Sequence, residues 1–178
     1  AMLRGAQVTL ISGPTALPPV PFVQLRGVTS AGEMLRAVQD ALPETDILIK
    51  SAAVADYRPA HTAGDKIKKG DGMESIPLER TEDILGWVAE HRRPGLFVCG
   101  FSMETRDMLE HSAAKLEKKK LDMVVANNLK VPGAGFGVDT NVVTILTREG
   151  VTELPLMGKD QVAEKLLDAI EEQRGRAL

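Results

Sequence analysis

Apolar runs of strand length alternate with segments whose apolar residues recur every three or four positions, and that alternation limits the chain to a few architectures. The runs are QVTLISG from Gln7, DILIKSAAV from Asp46, LFVCGFSM from Leu96 and MVVANN from Met123. Between them lie SAGEMLRAVQDAL, TEDILGWVAEHRR and RDMLEHSAAKLEKKK, each with helical spacing. Strands that are apolar along most of their length are buried on both faces, as in a parallel sheet wrapped by helices. Right-handed crossovers then give an α/β three-layer open sandwich with a mainly parallel sheet. Ser30 with Glu33 reads as a capping box, each side chain satisfying an orphan backbone N–H at the helix start.

Two stretches break the rhythm. From Arg58 to Arg80 the chain has no sustained period and far exceeds the roughly four to six residues of an ordinary connection. Such a loop reads as a lid or as disorder. Further on, NVVTILTREG and VTELPL flank Arg148-Glu149-Gly150, the signal of a C-terminal strand hairpin rather than a crossover. It reads as an element added beyond the sandwich. The closing segment GKDQVAEKLLDAIEEQRG places Val162, Leu166 and Ile170 on one helical stripe.

Length and charge narrow the ligands. A chain of 178 residues buries a sizeable core without disulfides, so 1–178 reads as one domain. With 22 Lys plus Arg against 25 Asp plus Glu the net charge is -3, which offers no overall positive field to nucleic acid or to an anionic membrane. The aromatic residues Trp87, Tyr57, Phe22, Phe97, Phe101 and Phe136 are too few for a single-strand stacking groove. Cys99 stands alone in LFVCGF, which excludes an intrachain disulfide and a cysteine-based zinc site and fits a reducing compartment. The apolar runs are shorter than a membrane span, and the first residues lack the order of a signal peptide. A cytoplasmic location and a small-molecule ligand are the expectations.

The residues with chemical potential stand near strand ends. Asp56, in SAAVADYRP, follows a buried strand at its carboxyl end, where open α/β sheets bind ligands. The same carboxylate equally suits bonding to the amides of the next turn. Lys66, Lys68 and Lys69 form KIKK in the long loop; extended, Lys66 and Lys68 share a face and close over an anion, or the run is simply solvated. Lys115 and Lys119 are four apart on a helix and share a face, a placement that the macrodipole near a helix C-terminus also favours. Thr81 is the expected N-cap of the helix opened by Glu82 and Asp83. Acidic residues at that end repel phosphate, so it suits a ribose or a base. GAGFG from Gly133 precedes a strand, not a helix, and lacks the amide cradle of a dinucleotide fingerprint. His61, His91 and His111 have no ligand spacing, and no Ser-His-Asp arrangement is suggested. A nicotinamide-dependent oxidoreductase would need a glycine-rich strand-to-helix turn with an acidic residue about 20 positions on, and neither is found.

Taken in order, RGAQVTLISGP, SAAVADYRP, KIKK, GFSMET, AAKLEKKKLD and VANN give a chain that resembles the phosphopantothenate-cysteine ligase (phosphopantothenoylcysteine synthetase) domain of bacterial coenzyme A biosynthesis. The resemblance implies a Rossmann-like fold, a homodimer, and a CTP-dependent ligation of 4'-phosphopantothenate with L-cysteine through an acyl-cytidylate. It implies CTP as co-substrate with Mg2+, and carries the family's nucleotide contacts onto Ser51, Ala52, Asp56, Lys66, Glu82, Asp83, Ile84, Leu85, Phe101, Lys115 and Lys119. Lys66 would act from a flap on the phosphates and in catalysis, Phe101 would pack near the nucleotide, and Asp56 would contact the nucleotide or hold the metal. Two departures follow from the same resemblance. Family members begin with a further strand and a segment carrying a catalytic Asn, which is expected to precede AMLRGAQVTL, so the domain reads as N-terminally truncated. Asn128 stands where members commonly have Asp. The alternative is therefore a CTP-binding and dimerisation fragment without turnover. A flavin-dependent decarboxylase domain is often fused upstream in the family, and the sequence leaves that open here.

Overall fold

The computed structural model describes residues 1–66, 75–104, 108–128, 131–135 and 137–176. In chain order the elements are β1 (Thr9–Ser12), β2 (Gln24–Gly27), α1 (Ala31–Ala41), β3 (Ile47–Lys50), β4 (Tyr57–Pro59), β5 (Leu78–Arg80), α2 (Ile84–His91), β6 (Phe97–Glu104), α3 (Met108–Lys118), β7 (Met123–Asn128), β8 (Thr140–Thr147), β9 (Val151–Gly158) and α4 (Lys159–Arg176). The central sheet has the order β3-β6-β7-β8-β9. β3, β6 and β7 run parallel, while β8 and β9 join antiparallel. A second parallel pair, β1-β2, lies against α1, and β4-β5 form a short antiparallel ribbon.

Side-chain alternation along the central strands builds two cores. On β6 and β7, Val98, Val124 and Ala126 face one side, where they meet Val38 of α1, Leu85 and Val88 of α2 and Leu116 of α3. The intervening Phe97, Cys99, Met123 and Val125 face the other side, where Val162, Leu166 and Ile170 of α4 cover them. Burying one such side chain is worth about 1.5–3 kcal/mol. The result is the expected Rossmann-like three-layer arrangement, three helices on one face and α4 on the other. No described helix is long and apolar enough to cross a membrane.

Gly100 sets the depth of packing at the middle of β6. A Cβ there would lie 2.9 Å from Leu121 Cδ1 and 3.3 Å from Leu85 Cδ1. The missing side chain lets the first turn of α2 sit close to the sheet, which brings the helix start to the strand ends.

Four expectations need correction. The hairpin is not beyond the sandwich: β8 pairs with β7 along Met123–Asn127, so β8 and β9 are strands of the central sheet. The segment Arg58–Arg80 is not all irregular, because its ends pair as β4-β5, closed by Ala60 N–H to Pro77 O at 2.9 Å and by the Arg58–Glu79 ion pair at 2.7 Å. Lys68 and Lys69 lie outside the described residues. Ser30 caps α1 by accepting from Glu33 N–H at 3.2 Å, but the Glu33 carboxylate reaches back to the Thr29 N–H and hydroxyl at 2.7 and 2.8 Å. Those donors hold Glu33 below its ordinary pKa. Finally, α2 is capped by Asp83, whose carboxylate accepts from Gly86 N–H at 2.9 Å, and not by Thr81. The Thr81 hydroxyl instead donates to Ala55 O at 2.5 Å.

Candidate functional site

The carboxyl ends of β3, β6 and β7 open into a cavity of about 800 Å³. Ser51 to Tyr57 form one wall, Arg80 to Leu85 a second, and Phe101, Ser102 and Met103 the floor. Lys115 and Lys118 of α3, Lys119 just after it and Asn127 of β7 close it. The strand ends of a parallel sheet are where helix starts and strand-to-helix turns converge, and here small residues, Ser51 to Ala53, keep the backbone accessible.

Several bonds fix these walls. Thr81 N–H donates to Asp56 O at 3.0 Å, and with the Thr81 hydroxyl on Ala55 O it ties the segment after β3 to the approach of α2. Arg58 bridges the ribbon to the same wall, donating to Glu82 Oε1 at 3.0 Å as well as to Glu79. β6 is joined to α3 through the buried Ser102 and Ser112 hydroxyls, 2.7 Å apart. Lys115 donates to Phe101 O at 2.6 Å, so the α3 lysine sits directly over the floor. Asn141 Nδ2 donates to Asn127 Oδ1 at 2.9 Å and fixes that amide at the end of β7.

Charges of both signs line the cavity and meet at the Asp83–Lys119 ion pair. Lys115, Lys118 and Lys119 share the α3 side, whereas Glu82 and Asp83 gather at the start of α2. Burial works against ionisation of Asp83, but the paired Lys119 ammonium and the Gly86 N–H outweigh it and hold the carboxyl below its ordinary value. Lys50 is held below the ordinary lysine range by burial and then by the like charge of Lys115, with Asp83 and Asp56 opposing. Asp56 is exposed to the cavity. Among the described residues no group of three or more His, Cys, Asp or Glu could hold a metal ion. A single carboxylate facing open space does suit Mg2+, which binds through one or two carboxylates plus substrate phosphates.

Of the residues singled out from sequence, Ser51, Ala52, Asp56, Glu82, Asp83, Ile84, Leu85, Phe101, Lys115 and Lys119 all line this one cavity. Ile84 and Leu85 are buried and contribute mainly through the helix start. Lys66 is exposed and is not among the lining residues. Sequence reasoning missed Lys50, Lys118, Arg80 and Asn127. For Lys50 a signal existed: a cation closing the apolar run ILI just before the small residues that open the site.

Comparison with known proteins bears on the whole chain. The family model of the DNA/pantothenate metabolism flavoprotein C-terminal domain matches residues 1–173. The coenzyme A biosynthesis bifunctional protein CoaBC of Bacillus subtilis is 43% identical over 172 residues, covering 96% of this chain but 42% of that protein. This chain thus spans less than half the length of that relative. The crystal structure of the C-terminal domain of a CoaBC is 42% identical with a TM-score of 0.80, over 97% of this chain and 78% of that one. A Cab2 variant in complex with phosphopantothenate-cysteine shares the fold at 14% identity and a TM-score of 0.63, over 87% of this chain and 55% of that one. By the extent of these matches, this chain belongs to the family of the DNA/pantothenate metabolism flavoprotein C-terminal domain.

Proposed function

We propose that this chain supplies the CTP site of a ligase that joins 4'-phosphopantothenate to L-cysteine in coenzyme A biosynthesis. The observation that carries the reading is the convergence of the expected nucleotide contacts, all but Lys66, on one cavity at the strand ends. The names of the relatives point the same way, since CoaBC is a coenzyme A biosynthesis protein and the Cab2 variant is in complex with phosphopantothenate-cysteine.

In this reading the cytidine half lies along Ser51 and Ala52 and the start of α2, and the triphosphate turns toward α3. Acidic Glu82 disfavours phosphate at the first place, Lys115 favours it at the second, and the Asp83–Lys119 ion pair marks the boundary between them. Phe101 packs beneath the nucleotide. A carboxylate oxygen of 4'-phosphopantothenate attacks the α-phosphorus of CTP, and the bond to the β-phosphate oxygen breaks with release of pyrophosphate. The cysteine nitrogen then attacks the acyl carbon of the acyl-cytidylate, loses its proton, and CMP departs. Nucleophile and leaving group are both anionic, so fixed cations beside them lower the barrier. Lys66 acts from the flap, Tyr57 to Arg80, on the departing pyrophosphate. Asp56 would be a carboxylate ligand of a Mg2+ carried on the triphosphate, an ion that neutralises phosphate charge when bound.

The reading includes a cytoplasmic location, one domain over 1–178 and a homodimer. Support for the dimer is the outer strand of the sheet, β9, with exposed Val151 and Leu156, since an open strand edge is a ready surface for a second copy. The second reading is CTP binding without turnover.

A pyrophosphate-release assay with CTP, Mg2+ and 4'-phosphopantothenate tests the proposal. Release that requires all three is the expected result for a complete ligase site. CTP binding without release assigns the chain to the binding half, and failure to bind CTP at all contradicts both readings.

A further inference from the structure

Lys50 ends β3, and its ammonium donates to Ala52 O at 2.8 Å inside the cavity wall. Lys115, from α3 on the neighbouring strand's side, donates to Phe101 O at 2.6 Å. Each cation is thus tethered to a backbone carbonyl at the carboxyl end of one of two adjacent parallel strands, β3 and β6. Both line the same cavity. A lysine ammonium has three N–H donors and the Ala52 carbonyl takes one, so Lys50 has donors to offer to the cavity.

Two like charges brought together raise each other's energy, and burial of Lys50 adds to it, as its lowered proton affinity reflects. A surface lysine escapes such a conflict by swinging into water. Lys50 is instead half-buried, held by its carbonyl bond, with the nearby carboxylates Asp83 and Asp56 offsetting part of the repulsion. Asp83 is already engaged by Lys119. An oxyanion between Lys50 and Lys115 would remove the conflict and gain two charge-assisted hydrogen bonds.

We propose that Lys50 is a further anion-binding residue of this site, holding a phosphate oxyanion of a substrate jointly with Lys115. The proposal rests on the functional reading above for the source of that phosphate, which is either the triphosphate of CTP or the phosphate of 4'-phosphopantothenate. A neutral base or sugar is not what a pair of converging cations selects.

The experiment is isothermal titration of the wild-type chain, Lys50→Met and Lys50→Arg with CTP, cytidine, pyrophosphate and 4'-phosphopantothenate, with thermal melts to establish folding. Lys50→Gln serves if the Met variant does not fold. The expected result is a loss of about tenfold or more for at least one phosphate-bearing ligand, no change for cytidine, and recovery of most of the affinity in Lys50→Arg. The ligand that loses affinity identifies the source of the phosphate. Affinities within twofold for every ligand overturn the proposal, as does an equal loss for CTP and cytidine or an Arg variant as weak as Met. If pyrophosphate binding depends on Lys50 while CTP does not bind, the CTP reading fails and the anion site stands. If the wild type binds none of the phosphate ligands, both fail.

Discussion

The Asp83 carboxylate joins α2 to the turn that follows α3, capping α2 through Gly86 N–H with one oxygen and pairing with the Lys119 ammonium through the other. Both residues line the cavity, so the cap that starts α2 also positions a lysine expected to meet phosphate. Gly86 makes this possible: a Cβ at that position would lie 2.6 Å from Asp83 Oδ2.

Asp83→Asn keeps a competent cap and removes the charge pair. The folded carboxyl lies below its ordinary value of 3.8, so its contribution to stability is complete above that pH and fades as pH falls through the depressed value. The variant is therefore expected to be less stable than wild type at pH 7, by about 0.2–1 kcal/mol for a solvent-screened pair. Urea titrations should show the two converging as pH drops below 3.8. A gap that stays constant into acid would mean that the charge pair contributes nothing.

Gly100→Ala places a methyl group against Leu121 and Leu85, both buried. Overpacking at such a site costs about 1–3 kcal/mol. Because Leu85 belongs to the first turn of α2, the variant should also weaken nucleotide binding without touching the nucleotide. A denaturant midpoint and a CTP affinity both equal to wild type would show that the close approach of helix to sheet is not needed.

Cys99 is fully buried beneath α4, and burial, with Asp122 adding to it, pushes its thiol up to about 12. A thiol reagent at pH 8 should therefore modify it only as fast as the fold opens. Fast modification in native buffer would indicate that α4 does not cover this face.

The flap reading of Lys66 predicts that amides of β4 and β5 exchange more slowly with CTP bound, and that Lys66→Ala removes much of that protection. Lys66→Ala should leave Lys115 and Lys119 contacts, and hence most of the CTP affinity, in place. Equal exchange with and without CTP would exclude a flap that closes on the nucleotide.

Much of this fold is written in local pattern. The apolar runs on β3, β6 and β7 and the stripe of α4 are periodic because each is buried on a defined face, and that periodicity survives in the sequence. β2 was not legible because its one large apolar residue, Leu25, is exposed and its pairing with β1 is a backbone matter. β4 and β5 escaped for a related reason: three-residue strands held by Arg58 and Glu79 carry no hydrophobic period. At the site, the four-residue spacing of Lys115 and Lys119 put both on one face, as observed in the cavity wall. Lys50 has a local signal, a cation closing the apolar run of β3, but its proposed role depends on Lys115, which is far away in sequence and near only through the pairing of β3 with β6. The choice between Thr81 and Asp83 as cap turned on Ala55 O, a tertiary partner that no local rule supplies.

The most direct test of the central claim is calorimetric titration of CTP and ATP into this chain with Mg2+ present, repeated on Asp56→Asn and Lys115→Ala. The account predicts that CTP binds more tightly than ATP, that Lys115→Ala weakens CTP by about tenfold or more as a lost charge-assisted contact should, and that Asp56→Asn loses the dependence on Mg2+. Equal affinity for CTP and ATP, or CTP binding unchanged in both variants, would contradict the assignment of this cavity as a CTP site.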